Sequence, residues 1–303
     1  MTQKNAPQYK EEKNSSRLGF KKKSQLHQSK YRKTKIEVKC DKFEHILTEQ
    51  YAKVGRNFYD GFDIFQEVEN YHPKGNYTTP LFKNMLRSEH IPFNIFIPFR
   101  SNLDFAKSVF NDLLNGQIKS IDKIEIEYAP SPREKYLNDR TSFDTYIEYT
   151  HIDNQKGIIG IEVKYTEHGY GLKHGSKEEK DIQDKNSIYY SISKKCGIYK
   201  PDTTDQLITN RFRQFWRNQL LGESIIIVDN DKFKHFTSMT VFPNGNAHFV
   251  KASKEYMDML KTNEDRFVPV TYEKFISVCE KHVPDAKFGK WLEYLKERYI
   301  IED

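Results

Sequence analysis

The chain has 303 residues, carries 49 Lys and Arg against 43 Asp and Glu for a formal net charge of +6, and is 37% hydrophobic. This length and composition fit a folded α/β protein, and no stretch approaches the roughly 20 apolar residues that a membrane-spanning helix needs. The three cysteines are far apart and form no CxxC pair, which argues against a disulfide framework and a zinc knuckle. We expect a soluble cytoplasmic protein without a secretory signal.

The positive charge is concentrated at the N-terminus. Residues 1–40 hold 10 Lys and 2 Arg against 3 Glu, a net +9 that leaves −3 for the rest of the chain. We interpret residues 1–40 as a basic, partly disordered arm, with residues 1–17 disordered and one or two helices within 18–55. Such an arm could follow a phosphate backbone through Lys21, Lys22, Lys23 and Arg32, or it could be a solvated tail.

Secondary structure can be assigned along the next part of the chain. A helix over 80–88 opens on a proline, and the apolar run FNIFIPF at 93–99 predicts a buried strand. Apolar residues at helical spacing predict a helix over 102–115 that ends at Gly116. Alternation of Ile and Tyr with acids predicts a half-buried strand over 121–129.

The remaining elements complete an α/β pattern. Two β-rich stretches around the turn DNQKG predict a hairpin over 143–167, and residues 166–204 read as a polar insertion. A helix over 205–221 closed by Gly222, strands at 224–229 and 235–242, and helices at 252–262, 271–282 and 285–299 follow. Strands clustered between helices predict a mixed sheet covered by helices on both faces. We divide the chain into the arm, a main domain over 41–250 and a C-terminal helical segment over 251–303.

The hairpin carries the residues that point to chemistry. Asp144 lies on its first strand, and Glu162 and Lys164 are two residues apart on its second. Two carboxylates can hold a hard divalent cation through oxygen ligands, and a lysine on the same face can orient the attacking water. Other Glu-x-Lys matches start at Glu11, Glu37 and Glu178, but only Glu162 lies in a β-rich stretch that follows another acid-bearing one.

The strand register decides whether these three residues can act together. Side chains that oppose each other in an antiparallel pair share a face, so a three- or five-residue turn, or a bulge, is needed. One suitable register sets Glu148 opposite Glu162 and adds Glu148 as a supporting acid. The alternative is an ordinary cross-strand ion pair between Glu148 and Lys164 on a solvent-facing sheet.

The hairpin resembles the catalytic core of the PD-(D/E)XK nuclease superfamily. Together with RSEHIPFNIFIPF (87–99) and RQFWRNQLLGESIIIV (213–228), it is similar to a family of bacterial proteins predicted to be restriction endonucleases. The resemblance implies a restriction-endonuclease-like mixed β-sheet core flanked by helices. It also implies that Asp144 and Glu162 bind Mg²⁺, for which Mn²⁺ could substitute, and that Lys164 is the catalytic lysine. The Val163 carbonyl and Glu89 would be further metal ligands.

By the same resemblance, the protein would be a Mg²⁺-dependent deoxyribonuclease, an endonuclease acting in restriction or phage defence, with a homodimer as one possible assembly. The polar side of the 205–221 helix would support the site through Gln214 and contact DNA through Arg213, Arg217 and Asn218. That side could equally be the solvated face of a packed helix. Two alternatives stay open: a catalytically inactive nucleic-acid-binding module with a degenerate nuclease core, and a nuclease of the junction-resolving, repair or RNA-cleaving type.

Overall fold

A computed structural model describes residues 18–169, 171–261 and 266–301. Residues 1–17, for which the sequence predicts disorder, lie outside the described part. Within that part, no helix combines the length and the apolar character that crossing a bilayer requires.

The described strands form a single mixed sheet in the order β1-β2-β3-β4-β5. Their bounds are β1 Ile118–Tyr128, β2 Phe143–His151, β3 Lys156–Val163, β4 Phe233–Phe242 and β5 Phe267–Thr271. The first three strands are antiparallel, whereas β4 runs parallel to both β3 and β5. The centre of the sheet is therefore formed by β2, β3 and β4, and the predicted hairpin is part of it.

The helices precede the sheet, fill its connections and follow it. Before the sheet lie α1 Phe20–Tyr31, α2 Glu49–Ala52, α3 Ile64–Tyr71, α4 Pro80–Lys83, α5 Ile91–Phe96 and α6 Leu103–Leu113. After β3 come α7 Lys177–Gln183, α8 Ile188–Cys196, α9 Thr204–Leu207, α10 Arg213–Val228, α11 Ala247–Asp258, α12 Tyr272–Lys281 and α13 Ala286–Tyr299. Shorter helical turns occupy Arg32–Ile36, Ser88–His90, Pro98–Ser101 and Arg133–Lys135.

Each face of the sheet buries its own apolar layer. Ile147, Ile159 and Val241 pack with α5, α6, α12 and α13 on one face. Ile158 and Phe236 pack with α8, α10 and α11 on the other. Burial of apolar side chains on both faces is the main source of stability for such a three-layer arrangement. The predicted α/β class, a mixed sheet with helices on both faces, is confirmed.

Two predicted strands are helices. Residues 93–99 belong to α5, in which every residue from Ile91 to Phe96 is buried, and to the helical turn Pro98–Ser101. Residues 224–229 form the end of α10, which continues through Gly222 instead of stopping there. Residues 91–96 are all buried, and a helix buried in this way has the same continuous apolar sequence as a central strand. Residues 225–228 are a run of β-branched side chains, which is also typical of a strand, although their burial decreases from Ile225 to the exposed Val228.

Other elements match their predictions within a few residues. These are the helices at 102–115, 271–282 and 285–299, the strand at 121–129, the hairpin and the strand at 235–242. The helix predicted at 252–262 begins earlier, at Ala247. The sequence reading missed β5, which contains Pro269 and lies at a sheet edge, where a residue without an N–H is tolerated. It also missed α7 and α8 in the polar segment 166–204.

Residues 18–40 lie against the domain rather than apart from it. The α1 helix buries Ser24, Gln28 and Tyr31. The Gln28 amide donates hydrogen bonds of 3.0 Å to the Tyr165 hydroxyl and 2.6 Å to the Arg298 carbonyl. This segment is therefore attached both to the chain after β3 and to α13.

Candidate active site

The turn between β2 and β3 sets Asp144 across from Glu162. Thr145 pairs with Ile161 and Thr150 with Lys156, and the His151 N–H donates a 2.8 Å hydrogen bond to the Gln155 carbonyl. Residues 152–154 therefore form a three-residue turn, and one further step of this register beyond Thr145 sets Asp144 opposite Glu162. The strands separate at that point, and Oδ2 of Asp144 accepts a 2.7 Å hydrogen bond from the Val163 N–H. The turn thus has one of the lengths that the sequence argument required.

Glu162 is held by three donors. Its Oε2 accepts a 2.7 Å hydrogen bond from the Asn218 amide, and its Oε1 accepts one from the Gln214 amide. Lys164 Nζ lies 2.5 Å from the same Oε1. Gln214 and Asn218 are four residues apart on α10 and therefore lie on the same side of that helix. Since Glu162 is only 7% exposed, these contacts fix its carboxylate in one orientation.

Burial and neighbouring charges change the titration of Asp144 and Lys164. Desolvation, and then the charge of Glu162, raise the pKa of Asp144 well above its usual value. Burial alone would lower the pKa of Lys164, but the charges of Glu162 and Asp144 outweigh it and raise that pKa. At neutral pH, Lys164 is therefore an ammonium group, while burial and the charge of Glu162 shift the titration of Asp144 toward the protonated form when no cation is bound.

Glu167, which the sequence reading did not select, joins the Lys164 segment to the helical turn Ser88–His90. Its carboxylate accepts hydrogen bonds of 2.9 Å from the N–H groups of Ser88 and Tyr165. Burial would raise its pKa, but Lys164 and these N–H donors lower it, so Glu167 is ionised at neutral pH. Its position three residues after Lys164 was the one sequence signal available.

Buried polar side chains fix the backbone around Lys164. The Tyr272 hydroxyl donates a 2.7 Å hydrogen bond to the Lys164 carbonyl. The Asn246 amide donates hydrogen bonds of 2.9 Å to the Tyr165 carbonyl and 3.0 Å to the Glu167 carbonyl. Tyr272, which directly follows β5, and Asn246, which directly precedes α11, therefore hold the segment after β3 that carries Lys164.

The comparison with protein families agrees with this geometry. A family model described as the PD-(D/E)XK nuclease superfamily matches residues 12–301, nearly the whole chain. The chain belongs to this superfamily. Searches of curated proteins and of solved structures found no match. In this PD-(D/E)XK protein, the predicted residues Asp144, Glu162 and Lys164 lie on β2, on β3 and directly after β3, at the centre of the mixed sheet.

The donor set of this PD-(D/E)XK site fits a hard divalent cation. Asp144 and Glu162 offer carboxylate oxygens, and the Val163 carbonyl remains a predicted third ligand. Mg²⁺ prefers oxygen ligands and is usually held by one or two carboxylates together with substrate phosphate. The raised pKa of Asp144 also fits a cation site. Two neighbouring carboxylates repel each other when both are ionised, and a shared cation removes that repulsion.

Two acids predicted near the metal have other partners. The register places Glu148 opposite Ile158, not opposite Glu162 as in the example considered from sequence. Glu148 accepts a 3.0 Å hydrogen bond from the Tyr146 hydroxyl and pairs with Lys232. Glu89 is half-buried and forms a 2.9 Å ion pair with Arg87.

Most of the residues predicted to contact DNA form ion pairs or hydrogen bonds within the protein. Arg213 is buried and pairs with Glu178, and Arg217 pairs with Asp139 and Glu178. Arg32 is buried and donates to the carbonyls of Glu44 and Val38. Lys21 and Lys22 are exposed on α1, and Lys23 is half-buried. These three arginines therefore join elements of the PD-(D/E)XK fold, as Asn218 does through Glu162.

A second group of metal-ligand residues lies at the opposite end of the hairpin. His151, Asp153 and His235 have ligand atoms within 4.8 Å of one another. Both imidazoles contact the Asp153 carboxylate at 2.9 Å. His151 is seven residues along β2 from Asp144, roughly 23 Å in an extended strand, so this group is separate from the predicted catalytic residues.

Proposed function

We propose that this protein is a divalent-metal-dependent endonuclease that hydrolyses DNA phosphodiester bonds, with Asp144, Glu162 and Lys164 as its catalytic residues. The observation that carries the proposal is the convergence of these three side chains at the point where β2 and β3 separate. Membership of a nuclease superfamily supports the reaction class. We assign Mg²⁺ as the cofactor, with Mn²⁺ as a substitute.

Each residue has a distinct part in the proposed reaction. A bound divalent cation would polarise the scissile phosphate and lower the pKa of a coordinated water. Asp144 and Glu162 would hold the cation, and Gln214 and Asn218 keep the Glu162 carboxylate oriented. Since the pKa of Lys164 is raised, its ammonium group would donate hydrogen bonds to the attacking water or the phosphate and offset developing negative charge, instead of accepting a proton.

Cleavage in the presence of different cations tests this proposal. Supercoiled plasmid, linear duplex and single-stranded DNA would be incubated with Mg²⁺, Mn²⁺ or EDTA. We expect nicking or linearisation of the closed plasmid with either cation, no cleavage in EDTA, and products with 5′-phosphate and 3′-hydroxyl ends. Metal-independent binding without cleavage of any substrate would instead support the non-catalytic nucleic-acid-binding module. Cleavage of RNA alone would reassign the substrate.

The biological role that we attach to this activity is restriction of foreign DNA in the cytoplasm. This part of the proposal follows from the resemblance to predicted restriction endonucleases. A strain that expresses the protein should show a reduced plating efficiency of phage, and a strain that expresses the Lys164→Ala variant should not.

A further inference from the structure

A cation-lined cavity of about 500 Å³ lies beside the chain that leaves the catalytic strand. Its lining includes Thr166, Glu167 and His168 from the segment after β3, and Lys21, His45 and Arg87 from the N-terminal part. Glu167 follows Lys164 by three residues, a separation of at most about 11 Å. The cavity is therefore next to the proposed catalytic centre but distinct from it.

Hydrogen bonds make the floor of the cavity rigid. Thr166 Oγ1 donates a 3.0 Å hydrogen bond to the Leu86 carbonyl, and the Ser88 N–H donates to Glu167. Asn246 fixes the same segment through the Tyr165 and Glu167 carbonyls. A ligand in this cavity would therefore meet a preformed surface and would not need to order a loop.

The first turn of α1 places Lys21 at the cavity. The Phe20 ring packs where a Cβ on Gly245 would lie, with the nearest ring carbon 2.5 Å from that position. Phe20 also contacts the Tyr165 ring edge-on at a centroid distance of 6.2 Å. Since Phe20 is anchored on both sides, the adjacent Lys21 is carried by a fixed backbone.

The charge in the cavity suits an anion. The Glu167 carboxylate is already satisfied by two N–H groups and faces the charge of Lys164. Arg87 pairs with Glu89 at 2.9 Å and lies 3.9 Å from Glu167, but it keeps 47% of its side-chain surface exposed, and the Lys21 ammonium adds a further positive charge. Lysine and arginine side chains can donate to phosphate oxygens.

We propose that this cavity binds a backbone phosphate of the DNA strand, within about three nucleotides of the scissile phosphate, since each nucleotide adds 3.4 Å along the helix axis. This inference rests on the proposed nuclease function. It gives Lys21 and Arg87 a positioning role: they fix the strand relative to Asp144, Glu162 and Lys164. The contact reads phosphate alone and carries no sequence preference.

The salt dependence of DNA binding tests the cavity without requiring cleavage. Binding of a labelled 20-base-pair duplex in EDTA would be followed by fluorescence anisotropy over a range of salt concentrations. Lys21→Ala and Arg87→Ala should each reduce the slope of log Kd against log salt by about 0.9, the value for one lost phosphate contact. Lys33→Ala is the matched control, since Lys33 is exposed and roughly 18 Å from Lys21 along the helical segment.

Charge-conserving variants guard against loss of structure. Lys21→Arg and Arg87→Lys should retain most of the wild-type slope if charge at the cavity is what matters. In cleavage assays the Ala variants should raise KM about tenfold and leave kcat nearly unchanged, because the contact is equal in the ground and transition states. An unaltered slope in both Ala variants, or an equal loss in Lys33→Ala, would overturn the cavity proposal.

The outcomes for the two proposals can be separated. Normal cleavage with unaltered salt slopes would contradict phosphate binding in the cavity and support the nuclease function. Absence of cleavage by the wild type, with slopes that fall only in the cavity variants, would remove the nuclease function and retain the phosphate site.

Discussion

The amide of Asn218 lies 2.7 Å from Oε2 of Glu162, and this hydrogen bond joins the helix α10 to the strand β3. Gln214, one turn earlier, donates to the other oxygen of the same carboxylate. A carboxylate with both oxygens engaged by fixed amides cannot rotate freely. Packing of α10 on the sheet therefore sets the direction in which Glu162 presents its oxygens.

Removing these amides should weaken the site without abolishing it. We expect Asn218→Ala and Gln214→Ala to reduce Mg²⁺ affinity or kcat by about 10- to 100-fold, the usual cost of losing a contact to a metal ligand. Titration of activity against Mg²⁺ would measure both quantities. Gln206→Ala, which removes an exposed amide from α9, should match the wild type. Equal Mg²⁺ affinity and kcat in all three variants would show that the contacts to Glu162 do not affect activity.

Cation binding should release a proton. Asp144 has a pKa raised well above its usual value, so its protonated fraction is increased when no cation is bound, whereas a metal ligand must be ionised. Apparent Mg²⁺ affinity should therefore increase with pH. Isothermal titration calorimetry in buffers of different ionisation enthalpy would count the protons released, and the Asp144→Asn variant should release fewer.

The same buried acid should destabilise the cation-free protein at neutral pH. Because the folded pKa of Asp144 lies above its unfolded value, its favourable contribution is complete below the unfolded pKa, near 3.8, and is lost as pH rises through the folded pKa. We expect Asp144→Asn to be more stable than the wild type in EDTA at pH 8 by about 1–3 kcal/mol, the scale of desolvating a buried polar group. Urea unfolding should show the gap closing toward pH 4; a gap that widens there would contradict this pKa.

Two helical glycines should respond oppositely to alanine. A Cβ at Gly222 of α10 would lie 2.0 Å from the Phe236 ring, whereas one at Gly289 of α13 would meet nothing within 4 Å. Gly222→Ala should cost about 1–3 kcal/mol through overpacking between α10 and β4. Gly289→Ala should gain about 0.5–1 kcal/mol through helix propensity. Urea unfolding midpoints at constant m-value would measure both changes in stability. A change of the same sign in the two variants would contradict the close contact between α10 and β4.

The sequence predicts the local features of this fold better than its buried segments. Period-two alternation of apolar and acidic residues gives β1, whereas two β-rich stretches around the turn DNQKG give the hairpin, whose second strand is buried on both faces. The segment Ile91–Phe96 is a helix that the sequence cannot distinguish from a strand, since complete burial removes the polar stripe that identifies an amphipathic helix. The end of α10 at 224–229 was predicted as a strand because its apolar residues form a continuous β-branched run. Pro269 makes β5 difficult to predict from sequence, because a strand that contains proline is tolerated only at the edge of a sheet, where β5 lies.

The proposed catalytic residues were selected from sequence, whereas the residues that contact them were found in the structure. The contacts of Glu167 and Asn246 join segments about 80 residues apart, and no local pattern encodes them. Arg213 and Arg217 were predicted to contact DNA because they lie on a polar helix flank, but Glu178 of α7 occupies that flank. The helix that supplies Glu178 lies in the segment that the sequence reading left unassigned.

Matched variants of β2 and β3 test the central claim most directly. Asp144→Asn, Glu162→Gln and Lys164→Ala would be compared with Glu148→Gln, a control acid on the same strand as Asp144 that pairs with Lys232. Mg²⁺-dependent plasmid cleavage should fall by at least about 10²-fold in each of the first three variants, consistent with loss of metal binding or electrostatic stabilisation. It should stay near the wild-type level in Glu148→Gln. Cleavage that survives in the first three variants would contradict this assignment of the active site.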